Sequence, residues 1–499
     1  MNIKISTAVL ALLAVVNTTS CLSKESSKKQ TKPNNNAVRS ITFNSSDKNL
    51  KRTFDWAQKM ALSYAHFGED PVGYWYEAAL PGRDAFAIRD ASHQSIGAEI
   101  LGLSKHNYNM MCRFAEGISE SRDWCSFWEI DKSGDPCPVD YVDDNNFWYN
   151  LPANFEFTFG CWRLYEWTGD ERYIKNPAMK NFFDRTFDEY IKKWQLEPEK
   201  IMNRPRFLNA REKTEGYFRE ARGIPSYDEG FPVHMVGCDM VAYGYAGFTA
   251  YANILANWGD TKKSIEAKKA AQGYYDLLSK TWWNEDTKYF YWGKHYDEKG
   301  LDQRPATSYI LWVDACHEPD RIQGHLNTIN TSAINVELLS YNPSLWYRYN
   351  YPQKAYDIFT KIISMERSEY PEVSYSMLEA LINGAMGIEP SASKKKVVTL
   401  PKLPTQQDYA EVKDVPMLGG YVTVRHDGNT ATEFTNNTPN KLTWQAAFIG
   451  EHPHIWVNGK EKNASFRTDR LGNKISYVEV KVRKGDKIQV RNYINKLPK

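Results

Sequence analysis

The chain has 499 residues, 42% of them hydrophobic and 14% aromatic, which is enough apolar material for a large core and roughly two to four domains. Its 63 basic and 61 acidic residues leave a net charge of +2, which excludes an electrostatic case for nucleic acid as a partner. The 16 Trp and 31 Tyr supply flat apolar faces with polar edges, suited to a core, to stacking on sugar rings or to lining a large cleft.

Residues 1–20 read as a signal peptide. Lys4 is its positive region, and Ile5–Val16 is an apolar run too short to span a membrane comfortably. Thr18-Thr19-Ser20-Cys21 resembles a bacterial lipoprotein box, with Thr18 where Leu is usual. It predicts cleavage before Cys21 and lipidation of that thiol; an ordinary secretory signal is the alternative. Residues 21–45 are polar and aperiodic, and read as a flexible linker to a body held at the membrane only by its lipid. No acidic run follows Cys21, which favours the periplasmic side of the envelope over the cell surface. The other six cysteines lack metal-ligand spacing; Cys125 and Cys137 are either a bridge across one loop or buried thiols.

From 46 to about 391 the periodicity predicts twelve helices. They cover 46–67, 90–103, 107–124, 146–168, 170–194, 239–258, 261–281, 303–313, 320–328, 336–348, 351–364 and 374–388. Connections after helices 1, 3, 5, 7 and 11 are long and rich in charged and aromatic residues. Those after helices 2, 4, 6 and 10 are two or three residues, which joins antiparallel neighbours. The long loops therefore share one face, where the even-numbered helices begin. Those helices are richer in small residues, as in MVAYGYAGFTAYANILA, and suit an inner ring; the Lys-rich 261–281 suits an outer one. The pattern predicts a mainly α fold, an (α/α)6 toroid of six helical hairpins. From 392 to 499 short alternating runs separated by Asp427-Gly428, Asn458-Gly459 and Lys484-Gly485 predict an antiparallel β-sandwich that either buttresses the toroid or binds carbohydrate itself.

This architecture resembles the six-hairpin glycosidases, over about residues 46–391, through phrases such as YNLPANFEFTFGCWRLYEWTGD and GCDMVAYGYAGFTAYANI. The stretch GRDAFAIRDASHQ is similar to that of six-hairpin hydrolases from gut and marine Bacteroidetes, near the family that contains exo-β-glucuronidases. The resemblance implies a glycoside hydrolase acting on an oligosaccharide or polysaccharide fragment, with no cofactor. No nucleotide loop, metal motif or activated Ser or Cys signature stands against that.

Glycoside cleavage needs one carboxyl group to protonate the leaving oxygen and another to activate water or attack carbon, ~6.5–9.5 Å apart in inverting enzymes. Inner-helix N-termini carry partly positive N–H groups that favour such acids. Two pairs of positions are candidates. In the inverting six-hairpin families the acid lies before helix 6 and the base before helix 12. Glu215 or Asp228 resembles that acid by position, and Glu372 resembles that base. The unsaturated glucuronyl hydrolases of the same superfamily instead use Asp residues before helices 2 and 4, matched here by Asp90 and by Asp143 or Asp144. Asp90 or Ser92, and one of Asp143 and Asp144, are equally suited to capping those helices.

His93, three residues after Asp90, shares its face and reads as a group that tunes the acid, binds a sugar hydroxyl or is structural. Asn145 and Trp148 belong to the same polar cluster as Asp144. Arg83, Arg89, Arg204 and Arg206 stand on the same face and suit a carboxylate, hence a terminal uronic acid, unless they pair with loop acids. Trp75, Trp148, Tyr217, Trp292 and Tyr375 are candidate stacking platforms. Long loops that close one end of a cleft favour exo action. A polysaccharide lyase on the same scaffold is the second reading, with His93, His234, Tyr217 and Asn145 as its candidate groups; a lipid-anchored glycan-binding protein is the third.

Overall fold

The computed structural model describes residues 41–80, 82–209, 221–228, 234–329, 336–365, 370–406 and 408–493. Helix makes up about 42% and strand about 28%, so the sheet share exceeds what a mainly α chain leads one to expect. Cys21, Glu215, Tyr217 and Glu229 lie outside the described residues.

Among the described residues the principal helices correspond one to one with the predicted ones. They are α1 (Lys48–Ser63), α2 (Ile88–Ile100), α3 (Ser104–Glu116), α4 (Pro152–Thr168), α5 (Pro177–Arg185) and α6 (Cys238–Trp258). The second half holds α7 (Thr261–Leu277), α8 (Tyr309–Trp312), α9 (Pro319–Leu326), α10 (Val336–Arg348), α11 (Pro352–Ile362) and α12 (Pro371–Glu379). Local chemistry sets their ends. The Asp47 carboxylate accepts from Asn49 N and Leu50 N to start α1, and α4 and α6 stop at Gly169 and Gly259, whose φ of +73° and +84° suits a residue without Cβ. Leu50, Phe54, Ala57 and Ala61 form the buried stripe of α1.

The even-numbered helices touch one another in a cyclic order: α2 on α4, α4 on α6, α6 on α8, α8 on α10, α10 on α12, and α12 back on α2. The odd-numbered α1, α3, α7 and α11 pack outside, against α12, α2, α6 and α10 respectively. Burial follows position: every residue of α2 except Arg89 is buried, and every residue of α12. Small residues let the inner helices approach. A Cβ on Gly97 of α2 would lie 2.2 Å from the carbonyl oxygen of Tyr375 in α12, so only glycine fits.

The C-terminal part forms two sheets. One has seven strands and the other five, and the stacked rings of Phe434 and Trp444, 5.0 Å apart, join their inner faces. This sandwich is seated on the helices. Buried His426 bonds Met386 O at 2.9 Å, and Trp167 Nε1 donates to Pro416 O at 2.8 Å.

Two boundaries differ from those read from composition. Ile388–Ser391, assigned to the helical domain, is the first strand of the five-stranded sheet. Thr42–Ser45, assigned to the linker, is an edge strand of the seven-stranded sheet, antiparallel to Tyr409–Met417. The pairing partner lies more than 360 residues away, so local polarity concealed it. Phe43 of that strand is buried and stacks on Phe54 of α1 at 5.3 Å, which ties the two parts together. Phe43→Ala is expected to lower stability by about 3 kcal/mol, read by denaturant unfolding.

All six described cysteines are buried thiols outside any disulfide, Cys125 and Cys137 included, so the bridge considered between those two is not formed. Among the described residues no helix is long and apolar enough to cross a membrane.

Candidate active site

Several inner helices place an acid in their first turn: Asp90 in α2, Asp239 in α6, Glu337 in α10 and Glu372 in α12. Neither Asp90 nor Ser92 caps α2. The helix begins at Ile88 with no side-chain cap, Ser92 Oγ donates to Ile88 O, and the Asp90 carboxylate lies deeper, 4% exposed. Carboxylate oxygens of Asp90, Glu337 and Glu372 lie within 4.8 Å of one another. Arg89 spans two of them, with Nε 2.8 Å from Asp90 and Nη2 3.0 Å from Glu337. Among the described residues, no side chain hydrogen-bonds either oxygen of buried Glu372.

Burial pushes the Asp90 carboxyl up to about 7; Arg89 opposes the rise and Glu337 adds to it. Burial also drives Glu372 well above its ordinary range, with the Asp90 and Glu337 charges acting in the same sense. Three like groups this close cannot all ionise, so the cluster keeps a proton near neutrality. Its spacing would also suit a cation, beside which Arg89 already supplies positive charge. A second group of that kind, His66, Glu69 and Asp70, lies on a surface hairpin.

Arg89 and Glu337 line two adjoining cavities and stand between them. One, of about 180 Å³, is walled by Arg83, Trp128, Glu129, Asp140, Trp148 and Tyr370, with Asp90 in its lining. The other, of about 260 Å³, is walled by Tyr227, Asp228, Asp239, Trp292 and Tyr309. The rings of Trp128 and Trp148 meet edge to face at 5.0 Å, and the Arg89 guanidinium lies over Trp128 and Tyr227. In the larger cavity Ser226 Oγ donates to Asp239 at 3.0 Å, and burial raises the Asp239 carboxyl.

The structure thus brings together Asp90, Arg83, Arg89, Trp148, Asp228 and Trp292 in the lining of one two-lobed cleft, with Glu372 buried beside Asp90 and in neither lining. Other expected site residues lie elsewhere. Asp144 does not line the cleft. It pairs with Arg122 at 2.8 Å and accepts from Tyr141 at 2.7 Å. Partial burial would raise its carboxyl, but bonds from Ser121, Tyr141 and Arg122 hold it down to about 2, the wrong direction for a proton donor. It does not cap α4 either, which starts at Pro152 without a side-chain cap. Asn145 is exposed in the same turn, where its N–H donates to Asp143. Asp144→Asn is expected to leave turnover within about two-fold of the native chain while Asp90→Asn does not, a contrast that initial-rate kinetics reads directly.

Arg204 is a structural group. It is 1% exposed and donates to Trp194 O, Met235 O and Tyr296 Oη. Arg206 is half-buried and lines neither lobe. Tyr375 is core rather than platform, its hydroxyl donating to Ala61 O at 2.8 Å. Trp75 is likewise core, stacked on His66 at 4.1 Å. His234 is buried, 3.3 Å from Asp228 and stacked on His295. His93 lies inside the ring, against Glu156 of α4 and 3.0 Å from Tyr243 Oη of α6. Trp312 and Tyr341 press on it edge-on, so it forms no wall of either lobe.

Sequence reasoning missed Glu337, Asp239, Glu129 and Tyr227. Each of the first two is an acid in the first turn of an even-numbered helix, whereas the sequence reading looked for acids in the loops before those helices, which is how it reached Glu372. Attention to the long loops passed over residues just inside the helices. Glu129 sits in a strand that pairs with Ala85–Ala87, a contact between loops that no local pattern encodes.

No family model and no curated protein matches this sequence. Solved structures do. An α-L-rhamnosidase from Dictyoglumus thermophilum matches with a TM-score of 0.57 at 13% identity, over 90% of this chain and 50% of that one. A GH78 rhamnosidase of Bacillus sp. GL1 matches with 0.53 at 12%, over 79% and 40%. A kojibiose phosphorylase candidate from the human microbiome matches with 0.51 at 11%, over 89% and 60%. The chain shares the fold of these neighbours and spans about half their length.

Proposed function

We propose that the protein is a glycoside hydrolase built on a closed (α/α)6 toroid, and that it removes a terminal sugar from a glycan fragment at the two-lobed cleft. The cyclic packing of α2, α4, α6, α8, α10 and α12 supports the toroid. The observation that carries the activity is the cluster of Asp90 and Glu337 in the cleft lining with Glu372 buried behind them, which holds a proton at neutral pH beside a carboxylate paired with Arg89. A group kept protonated in this way is the acid that a glycosidic leaving oxygen needs. Within 4.8 Å, Asp90 and Glu372 stand closer than the ~6.5–9.5 Å that an inverting acid and base require, so they act as one proton-exchanging unit. Asp239, in the other lobe and oriented by Ser226, is the opposing carboxylate. The scissile bond lies over the Arg89–Glu337 pair between the lobes. The edge-to-face Trp128 and Trp148 form one wall of the smaller lobe, against which the terminal sugar ring packs. Two of the fold neighbours are rhamnosidases, consistent with hydrolysis.

A terminal uronic acid is less well served than a neutral sugar. Arg83 is bound to Glu129 at 2.6 Å and Arg89 to Asp90 and Glu337, so neither is free to fork a substrate carboxylate. Among the described residues the cleft carries more acids than cations, and a further anion there meets repulsion. Parallel assays of neutral and uronic aryl glycosides and oligosaccharides test both points. The expected result is release of a neutral sugar with no unsaturated product, lost in Asp90→Asn, Glu372→Gln and Asp239→Asn. Full turnover in all three variants would overturn the site, and glucuronide cleavage alone would overturn the sugar assignment.

The lipid anchor at Cys21 and the periplasmic location belong to the same proposal. Membrane-fraction recovery of the native chain, lost in Cys21→Ser, is the expected outcome.

A further inference from the structure

Where the sandwich meets the helices there is a separate cavity of about 570 Å³. It lies between the C-terminal end of α10 and the strands that follow α12, and its lining gathers Arg348, Lys402, Arg467 and Arg470 with His317. Two acids, Glu389 and Asp469, also line it and act on Lys402 through their charge, without forming an ion pair with it among the described residues. Asp469 is committed to its own turn, accepting from Leu471 N, Asn473 N and Asn473 Nδ2. Glu389 is exposed at the rim. Arg470 is taken up by Asp314, at 2.6 Å.

Lys402 is the unusual member. It is 8% exposed, yet its ammonium donates only to a neutral group, Tyr347 O, at 2.6 Å. Among the described residues no carboxylate forms an ion pair with Lys402, Arg348 or Arg467. Arg348 spends Nη1 on the carbonyls of Leu311 and Trp312 and keeps its other donors. A lysine buried without a counter-charge is costly, and here the cost is visible: burial lowers its ammonium to about 8, and Arg467 and Arg348 add to the fall against Glu389 and Asp469. An anion seated among these three side chains would remove that cost and satisfy the remaining donors.

We propose that this interdomain cavity is a second glycan site, which binds the sulfate ester or carboxylate of an acidic sugar through Lys402, Arg348 and Arg467. No Trp, Tyr or Phe lines it, so recognition rests on charge rather than on ring stacking. A hydrolase trimming neutral ends from an acidic glycan would gain a hold on the polymer outside its cleft.

The test is calorimetric titration of the full chain with a chondroitin sulfate tetrasaccharide, maltotetraose and sodium sulfate. The sulfated tetrasaccharide is expected to bind, to weaken as salt rises, and to lose at least ten-fold in affinity in Arg467→Ala, with maltotetraose silent. Arg467 lies on an exposed strand, so that variant folds even if Lys402→Gln does not. Equal binding of maltotetraose, or affinity unchanged in Arg467→Ala, overturns the proposal. Sodium sulfate binding as tightly as the tetrasaccharide overturns the glycan assignment and leaves a simple ion site.

Discussion

Replacing Glu372 with Gln is expected to cost ~10²–10⁴-fold in turnover and at the same time to stabilise the protein at alkaline pH. The two effects share one cause. Glu372 is buried, no described side chain hydrogen-bonds either of its oxygens, and Asp90 and Glu337 face it. Its native carboxyl group therefore holds a proton far above its ordinary value of 4.5. The sign follows from proton binding. Between 4.5 and its raised native value, the folded chain keeps a proton that the unfolded chain has released. Stability is greatest below that window and falls as pH rises through it. Asp90 adds the same slope between 3.8 and about 7. Glutamine has the shape of the protonated acid and never ionises, so the variant loses its share of the slope. At alkaline pH its unfolding free energy should exceed that of the native chain, with the gap closing as pH falls toward 4.5. Urea unfolding across that range reads it. Native kcat/KM should decline above pH about 7 as the cluster loses its proton. A variant that is both active and no more stable would show that Glu372 is neither protonated nor catalytic.

The second large effect is expected at a residue with no chemistry of its own. Gly97 lies two helical turns beyond Asp90, and Tyr375 lies one turn beyond Glu372. At this point the backbones of α2 and α12 touch: a Cβ on Gly97 would lie 2.2 Å from Tyr375 O and 2.8 Å from its carbonyl carbon. Both contacts are backbone, so no side chain can swing aside. Gly97→Ala must separate the helices, at a cost of about 3 kcal/mol or more. Because α2 and α12 carry Asp90 and Glu372, whose carboxylates lie within 4.8 Å of each other, the separation also pulls the carboxylates apart. Turnover should fall at least ten-fold in whatever fraction folds, and the alkaline decline of kcat/KM should shift toward lower pH as mutual repulsion relaxes. An unchanged pH profile in folded Gly97→Ala would show that the helix contact does not set the carboxylate spacing.

Much of the helical part was legible because its signal is local. The apolar repeat gave α1 its stripe of Leu50, Phe54, Ala57 and Ala61, and the alternation of short turns with long loops predicted which helices would be inner. Acids placed before even-numbered helices, matched to the resembling families, pointed to Asp90 and Glu372. The sandwich followed from alternating runs between Gly turns. These features depend on residues within a turn or a hairpin of one another, where spacing alone decides which face a side chain occupies.

What only the tertiary structure decided is which charge meets which. Arg89 and Glu337 are 248 residues apart in sequence and 3.0 Å apart in space. Asp144, as good a candidate as Asp90 by composition, is paired with Arg122, 22 residues earlier in the same connection between α3 and α4. Arg204, read as a substrate ligand, spends its donors on buried carbonyls. Thr42–Ser45, polar enough to read as linker, completes a sheet at the far end of the chain. An ion pair or a strand pairing falls off within a few ångströms, and the distances between remote segments are set by how the inner helices pack, not by any local run of residues. The sequence by itself determined the helices, their order and two of the acids at their starts, Asp90 and Glu372; packing decided that Glu337 joins them and which of these acids share a proton.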